Sequence, residues 1–357
     1  MTSKLRVPTN SESKRPKFLA VEFEVRGHHA DYVRNFAHLW LQRDIPADIE
    51  FLVSRRFSEH HGNVIRAINE SGDDRVSLRL IDEADQQLLE RKPRLKYWYG
   101  WQIFCRYAET SAADHALLMY SDYFQLPSVI GRRSPCPFSA VYFRPTFHYR
   151  TFANYHPNLK QRFTALRKAW LLQRFLKVKE LRGLYCLDPL AVPYIQEQFK
   201  TDARVAHLAD SFTLQVAGPS RAAEFRASLG IEPDRKIFCL LGVLDGRKGP
   251  VELLESVRLI APEIGRHIAI VLLGYIPDHG PQNLEALAAE MNGVNNVQVV
   301  LRNAYIDSAD VQHYYEMSDV ILTTYQRHMG SSSALIRAAL ARRPVPIERF
   351  RIDGRTR

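Results

Sequence analysis

The stretch from Lys236 to Ile347 limits what this chain can fold into more than any other. Lys236-Ile237-Phe238-Cys239-Leu240-Leu241-Gly242-Val243-Leu244 is an apolar run of the kind that fills a strand buried on both faces. The turn Asp245-Gly246-Arg247-Lys248-Gly249-Pro250 follows, with Pro250 where the first turn of a helix needs no N–H. The alternation continues, predicting strands at 236–244, 267–275, 297–302, 319–324 and 344–348 with helices between them. Such alternation with short connections specifies a parallel, doubly wound α/β sheet with right-handed crossovers.

Two loops of this sheet suit a phosphate. One is the turn carrying Arg247 and Lys248. The other is Tyr325-Gln326-Arg327-His328-Met329-Gly330-Ser331-Ser332-Ser333, which leads into a helix expected over 334–342. Small residues at a helix N-terminus leave backbone N–H groups and the positive end of the dipole open to an anion.

The first half repeats the architecture. Strands are expected at 18–23, 48–54, 75–81, 115–121, 139–143, 183–188 and 204–210. After the first comes Gly27-His28-His29 and an amphipathic helix. Polar groups just past strand C-termini are where open α/β sheets hold ligands, which singles out Gly27, His28, Asp122, Arg144 and His148. Each also has a structural explanation: a surface histidine pair, a helix cap, an ion pair, a satisfied loop histidine. The expected organisation is a mobile basic tail over 1–16, one Rossmann-like domain over 17–210, a linker over 211–220 around Gly218-Pro219, and a second Rossmann-like domain over 221–357.

Two segments mix cations with aromatics. Arg91, Lys92, Arg94 and Lys96 precede Tyr97-Trp98-Tyr99-Trp101-Phe104, but those rings recur at helical spacing and suit a core, and no nucleic-acid-binding motif accompanies them. Lys160 to Arg182 holds eight Lys or Arg and one Glu, with Phe163, Leu166, Trp170 and Phe175 as an apolar stripe. Such a helix serves either as a domain helix with its cations in water or as a contact with an anionic membrane. The domain helix is the expectation.

The formal charge of +10, from 49 Lys+Arg against 39 Asp+Glu, favours anionic partners without choosing among them. No apolar run approaches the ~20 residues that span a bilayer. Met1 to Lys17 has no apolar core of a secretory leader. Cys105, Cys136, Cys186 and Cys239 show no CxxC spacing and read as reduced, packed thiols, and no cluster has metal-ligand spacing. A cytoplasmic chain, at most peripheral to the inner membrane face, is expected.

Leu229-Gly230-Ile231, Gly242 to Gly249, Leu272-Leu273-Gly274, Tyr315 to Asp319, Gly330 to Ser333 and Arg343-Pro344-Val345 together resemble the nucleotide-sugar-binding domain of family 4 glycosyltransferases. The resemblance implies a GT-B fold, with two Rossmann-like domains facing a cleft, and transfer of a sugar from a nucleotide-diphosphate-sugar to an acceptor that the sequence does not identify, a lipid or a glycan being among the candidates. It implies no metal, no cofactor beyond that co-substrate, and retention of configuration. Lys248 matches the family's diphosphate-binding lysine, with Arg247 beside it and Gly330, Ser331, Ser332 and Ser333 as the phosphate loop. Arg327 and His328 are further candidates in the cleft. His28 and Asp122 are the candidate catalytic residues on the acceptor side. Val243 stands where the family has an arginine, and Met329 and Arg337 stand where it has two glutamates. The family's final helices have no counterpart before Arg357, so the second domain is expected to be incomplete. A non-catalytic relative that binds a nucleotide or a protein partner is the second reading.

Overall fold

The computed structural model describes residues 15–25, 29–91, 95–151, 157–209, 219–278, 280–306, 308–326 and 332–346. Of the residues singled out above, Gly27, His28, Arg327, His328, Gly330 and Ser331 lie outside this set, as do most of the expected tail and linker. The chain divides near residue 211 into two compact units.

The first unit holds a seven-stranded sheet: β1 Lys17–Glu22, β2 Asp48–Val53, β3 Val76–Leu80, β4 His115–Leu118, β5 Phe138–Tyr142, β6 Leu181–Cys186 and β7 Arg204–His207. Their spatial order is β3-β2-β1-β4-β5-β6-β7, and every pairing is parallel. Side chains alternate between two cores. Leu19 and Val21 of β1 enter one with Trp101, Phe104 and Phe138, while Ala20 enters the other with Val33, Phe51 and Phe57. This is the period-two pleat of a strand buried on both faces.

The second unit is a four-stranded sheet of order β10-β9-β8-β11, again parallel, from β8 Lys236–Leu241, β9 Ile268–Leu273, β10 Gln298–Arg302 and β11 Val320–Ile321. Ile237, Cys239 and Leu241 face one core with Val271, Leu273 and Tyr315, and Leu240 faces the other with Ile270, Leu272 and Leu254.

Several expectations need correction. The strand expected at 344–348 does not form over its described part, 344–346. The Ile321 amide bonds the Pro344 carbonyl at 3.0 Å, and the Thr323 hydroxyl the Pro346 carbonyl at 2.9 Å. Pro344 and Pro346 carry no N–H, so that segment cannot complete a ladder. The strand expected at 319–324 shortens to Val320–Ile321 for the same want of a partner. Arg15, assigned to a mobile tail, is held by Asp48 at 2.9 Å and Asp74 at 2.7 Å. Between β2 and β3 the chain forms two helices, Arg55–His60 and Gly62–Glu70, broken at His61.

The basic helix forms over Leu159–Phe175, started by a capping box in which Asn158 and Gln161 bond each other's backbone. Of its expected apolar stripe only Phe175 enters the core. Ala165, Leu172 and Phe175 are buried, whereas Phe163, Leu166 and Trp170 face solvent. All four cysteines are buried and unbridged.

Candidate functional site

In an open α/β sheet, ligands gather beyond the strand C-termini where the winding direction reverses. The strand orders place that point between β8 and β11 in the second unit, and between β1 and β4 in the first.

In the second unit this point brings together two segments some eighty residues apart. After β8 the chain turns at Gly242, whose φ of +111° suits glycine. Arg247 N–H donates to Asp245 Oδ1 at 3.1 Å, and Lys248 N–H to the Asp245 carbonyl at 3.0 Å. Gly249, at φ +63°, then starts the helix Pro250–Glu255. After β11 the chain runs back along this turn. Thr324 Oγ1 donates to the Lys248 carbonyl at 2.7 Å, and Gln326 N–H to the Arg247 carbonyl at 2.7 Å.

Lys248 is the centre of the arrangement. Its Nζ donates to the Leu241 carbonyl at the end of β8 and lies 5.9 Å from the Tyr325 ring centre. Burial lowers its pKa to about 8, against a partly compensating pull from Asp245. Tyr325 Oη and Ser332 Oγ lie 3.1 Å apart. Because Ser332 is engaged there, its side chain does not cap the helix Ser333–Leu340, whose first amides have no partner inside the helix. A buried ammonium, a phenol ring and a helix N-terminus therefore converge within one unit. Such a set can neutralise a phosphate. Arg247 is turned elsewhere: its guanidinium pairs with Asp245 at 2.8 Å and is largely in solvent. The helix Ser333–Leu340 carries no carboxylate.

In the first unit, the point between β1 and β4 is occupied by His29, of the histidine pair after the first strand, and by groups that the motifs did not indicate. Glu22, the buried last residue of β1, accepts the Glu24 N–H at 2.8 Å and meets His29 Nδ1 at 2.7 Å. Burial pulls the His29 pKa down, but the Glu22 carboxylate outweighs it and holds it above its ordinary value. Glu24 pairs with Lys96 at 2.7 Å. Tyr97 stacks on Tyr123 at 3.9 Å, and Tyr123 on Tyr120 at 4.8 Å. A small pocket open to solvent lies among Glu22, Glu24, Lys96, Tyr97, Tyr120 and Tyr123. An acidic residue closing the first strand is the signal that the sequence holds for this site. Of the rings expected inside, Trp101 and Phe104 are buried, whereas Tyr97 lines the pocket.

Two candidates from this half are tied into the scaffold. Asp122 accepts the amides of Phe143 and Arg144, each at 2.9 Å, and so joins the ends of β4 and β5. Burial raises its carboxyl pKa, opposed by those amides and by Lys168. His148 is buried, with Nε2 at 3.0 Å from Asp188. Burial works to raise the Asp188 pKa, yet His148, the Leu190 amide and the Tyr149 hydroxyl hold it below the usual range. His148 thus belongs to the interior of its unit, because imidazole and carboxylate satisfy each other there. Arg144 is exposed, with its carbonyl accepting from Lys168 at 3.3 Å. Among the described residues no group of His, Cys, Asp or Glu is arranged to hold a metal ion, and no helix is long and apolar enough to cross a membrane.

Residues 222–336 match the family model of glycosyl transferases group 1, a span that contains Lys248, Thr324, Tyr325 and Ser332. No curated protein sequence matches. Among solved structures, sucrose-phosphate synthase from Thermosynechococcus elongatus is similar at 15% identity, over 93% of this chain and 80% of that one, with a TM-score of 0.62. The UDP-forming α,α-trehalose-phosphate synthase from Burkholderia vietnamiensis is similar at 13% identity, over 92% and 81%, with a TM-score of 0.61. HepE of Anabaena, solved in complex with UDP, is similar at 16% identity, over 93% and 79%, with a TM-score of 0.56. The likeness shows the fold: an α/β chain with two Rossmann-like domains of the GT-B type.

Proposed function

We propose that this chain is a glycosyltransferase that takes a sugar from a nucleotide-diphosphate-sugar bound on the second unit. The observation carrying this reading is the placement of Lys248 at the β8/β11 switch point, beside Tyr325, Ser332 and the start of the helix Ser333–Leu340. In the reaction, the anomeric carbon–oxygen bond to the diphosphate breaks and negative charge grows on the leaving phosphate. Lys248 and the helix amides lie where they would stabilise that charge. In a site dry enough to lower the lysine pKa, a positive charge acts more strongly than in water.

The family match over 222–336 supports a nucleotide-sugar as the donor, and the UDP in HepE makes uridine diphosphate the first nucleotide to test. The proposed chemistry is metal-independent, so chelation leaves turnover unchanged. The proposed acceptor is a lipid or glycan hydroxyl. The pocket between β1 and β4 is the proposed acceptor side, since stacked tyrosines and carboxylates suit a hydroxyl-rich ligand. Retention of the anomeric configuration follows the family 4 resemblance and is read from the product by NMR.

A second reading has its own observation. The helix Ser333–Leu340 presents Arg337 and no carboxylate, so the hydroxyl contacts of a family 4 donor site have no counterpart on it. In this reading the chain binds a nucleotide without transferring sugar.

A thermal-shift series with UDP, GDP, ADP and their sugar conjugates tests both. A rise in melting temperature with one of them, lost in Lys248→Ala, supports the donor site. Donor turnover with an acceptor then supports the enzyme, and binding with no turnover across lipid and glycan acceptors supports the second reading. No shift with any nucleotide in a cooperatively melting protein overturns both.

A further inference from the structure

The helix Leu159–Phe175 is built with two apolar faces, and among the described residues only one packs into a core of the fold. Ala165, Leu172 and Phe175 pack into the core of the first unit. Leu159, Phe163, Leu166 and Trp170 recur at intervals of four, three and four residues, which at 3.6 residues per turn is a single stripe on the opposite side. Their fractional exposures are 82%, 71%, 57% and 51%. Four large apolar side chains in one exposed row mark an interaction surface.

The surrounding charge names the occupant. Lys160, Arg167 and Arg174 run along one flank of the stripe and Arg162 along the other, all exposed. No Asp or Glu occurs from His156 to Lys179. The Arg174 guanidinium lies 5.4 Å from the Trp170 ring centre. Indole and aliphatic groups bordered by cations fit the boundary between lipid headgroups and acyl chains. Seventeen residues of helix are too polar to cross a bilayer but long enough to lie in its surface.

We propose that this helix docks the chain on an anionic lipid bilayer, with Leu159, Phe163, Leu166 and Trp170 inserted below the headgroups and Lys160, Arg162, Arg167 and Arg174 meeting lipid phosphates. Two observations carry it: the exposed apolar row, and borders that hold cations on both sides and no carboxylate on either. The proposal does not depend on the sugar-transfer reading. An enzyme placed this way would meet a membrane-borne acceptor.

Vesicle co-sedimentation of the full chain tests it, using phosphatidylcholine alone and phosphatidylcholine with about one-third phosphatidylglycerol. The protein is expected to sediment with the anionic vesicles only, and less so as salt rises. The double variant Phe163→Ser, Trp170→Ser should weaken binding at least about tenfold without lowering the melting temperature, since both side chains already face water. Should that variant fail to fold, Arg167→Glu with Arg174→Glu reads the same surface through its charge, with the same expected loss. Failure to sediment with anionic vesicles at low salt overturns the proposal, as does binding that neither variant changes. Self-association in sedimentation velocity that Phe163→Ser, Trp170→Ser abolishes, without vesicle binding, also overturns it and assigns the stripe to a second copy.

Discussion

The Lys248 ammonium occupies the space that a side chain on Gly242 would need: a Cβ built on Gly242 would collide with Nζ. The absence of a side chain at Gly242 and the position of the cation at Lys248 are one feature. Gly242→Ala should therefore do two things. It should cost about 1–3 kcal/mol in stability, because φ of +111° is strained for alanine. It should also lose the nucleotide-induced rise in melting temperature, because Lys248 must leave its place. A variant that still shows the full shift would show that the lysine does not meet the phosphate from this position.

The lowered pKa of Lys248, about 8, gives nucleotide binding a pH dependence of known sign. The ammonium is the form that attracts a diphosphate, so affinity should hold below pH 8 and fall as pH rises through it. Isothermal titration between pH 6.5 and 9.5 checks this, with Lys248→Met as the control that flattens the profile. Because burying that charge opposes folding, Lys248→Met should also melt higher than the parent near neutral pH, by roughly 1–3 kcal/mol of added stability.

Thr324 Oγ1 donates to the Lys248 carbonyl at 2.7 Å and so fastens the segment after β11 to the turn after β8. Thr324→Val keeps the shape and removes the donor. The expected cost is about 1 kcal/mol of stability, with a loss of nucleotide affinity although the side chain bonds protein backbone. Unchanged affinity would mean that the turn holds its form without this tie.

His29 and Glu22, 2.7 Å apart, should make the first unit sensitive to alkali. The His29 pKa is raised in the folded chain, so its contribution is fully present below the unfolded value of about 6.5 and is lost as pH rises through the folded value. Glu22→Gln should lower the histidine pKa, read by NMR titration, and remove that part of the pH dependence. A histidine that titrates unchanged in the variant would refute the pairing.

Asp188 works in the other direction. Its folded pKa is depressed beside His148, so its contribution is present above the ordinary carboxyl pKa of about 3.9 and is lost as pH falls through the folded value. Asp188→Asn leaves the buried His148 without its carboxylate and should cost about 3 kcal/mol, measured by urea unfolding at neutral pH.

The strand ladder was largely legible before any coordinates, because a strand buried on both faces must be written as an apolar run. Cys239 or Leu272 could be assigned to a core from their neighbours alone. The exceptions were the segments around Val320 and Pro344, whose apolar character is equally clear. Their ladder depends on which N–H groups find partners, and the prolines supply none. Lys248 and the loop that opens at Tyr325 were both visible as motifs, but the tie from Thr324 to the Lys248 carbonyl was not, because nothing in the residues near 325 records that they return to the turn near 248.

The first unit shows the same division. Asp122 and His148 drew attention by standing past strand ends, and the fold uses both as internal ties. Glu22, which closes β1 beside His29, is as well placed in the sequence, with no motif around it to mark it. A position past a strand end marks where a ligand can come. Whether a side chain there meets a ligand or a neighbour depends on the direction in which it is packed.

The sequence by itself determined the class of the fold, the number of sheets and the place of the turn that carries Lys248, since these follow from local periodicity and from glycine and proline at fixed spacings. Only the tertiary structure decided which residues share a site and which face of a helix is covered. The helix Leu159–Phe175 makes the reason plain. Its sequence holds two apolar faces of similar character, and the choice of Ala165, Leu172 and Phe175 over Phe163, Leu166 and Trp170 was made by the strands and helices packed beneath it.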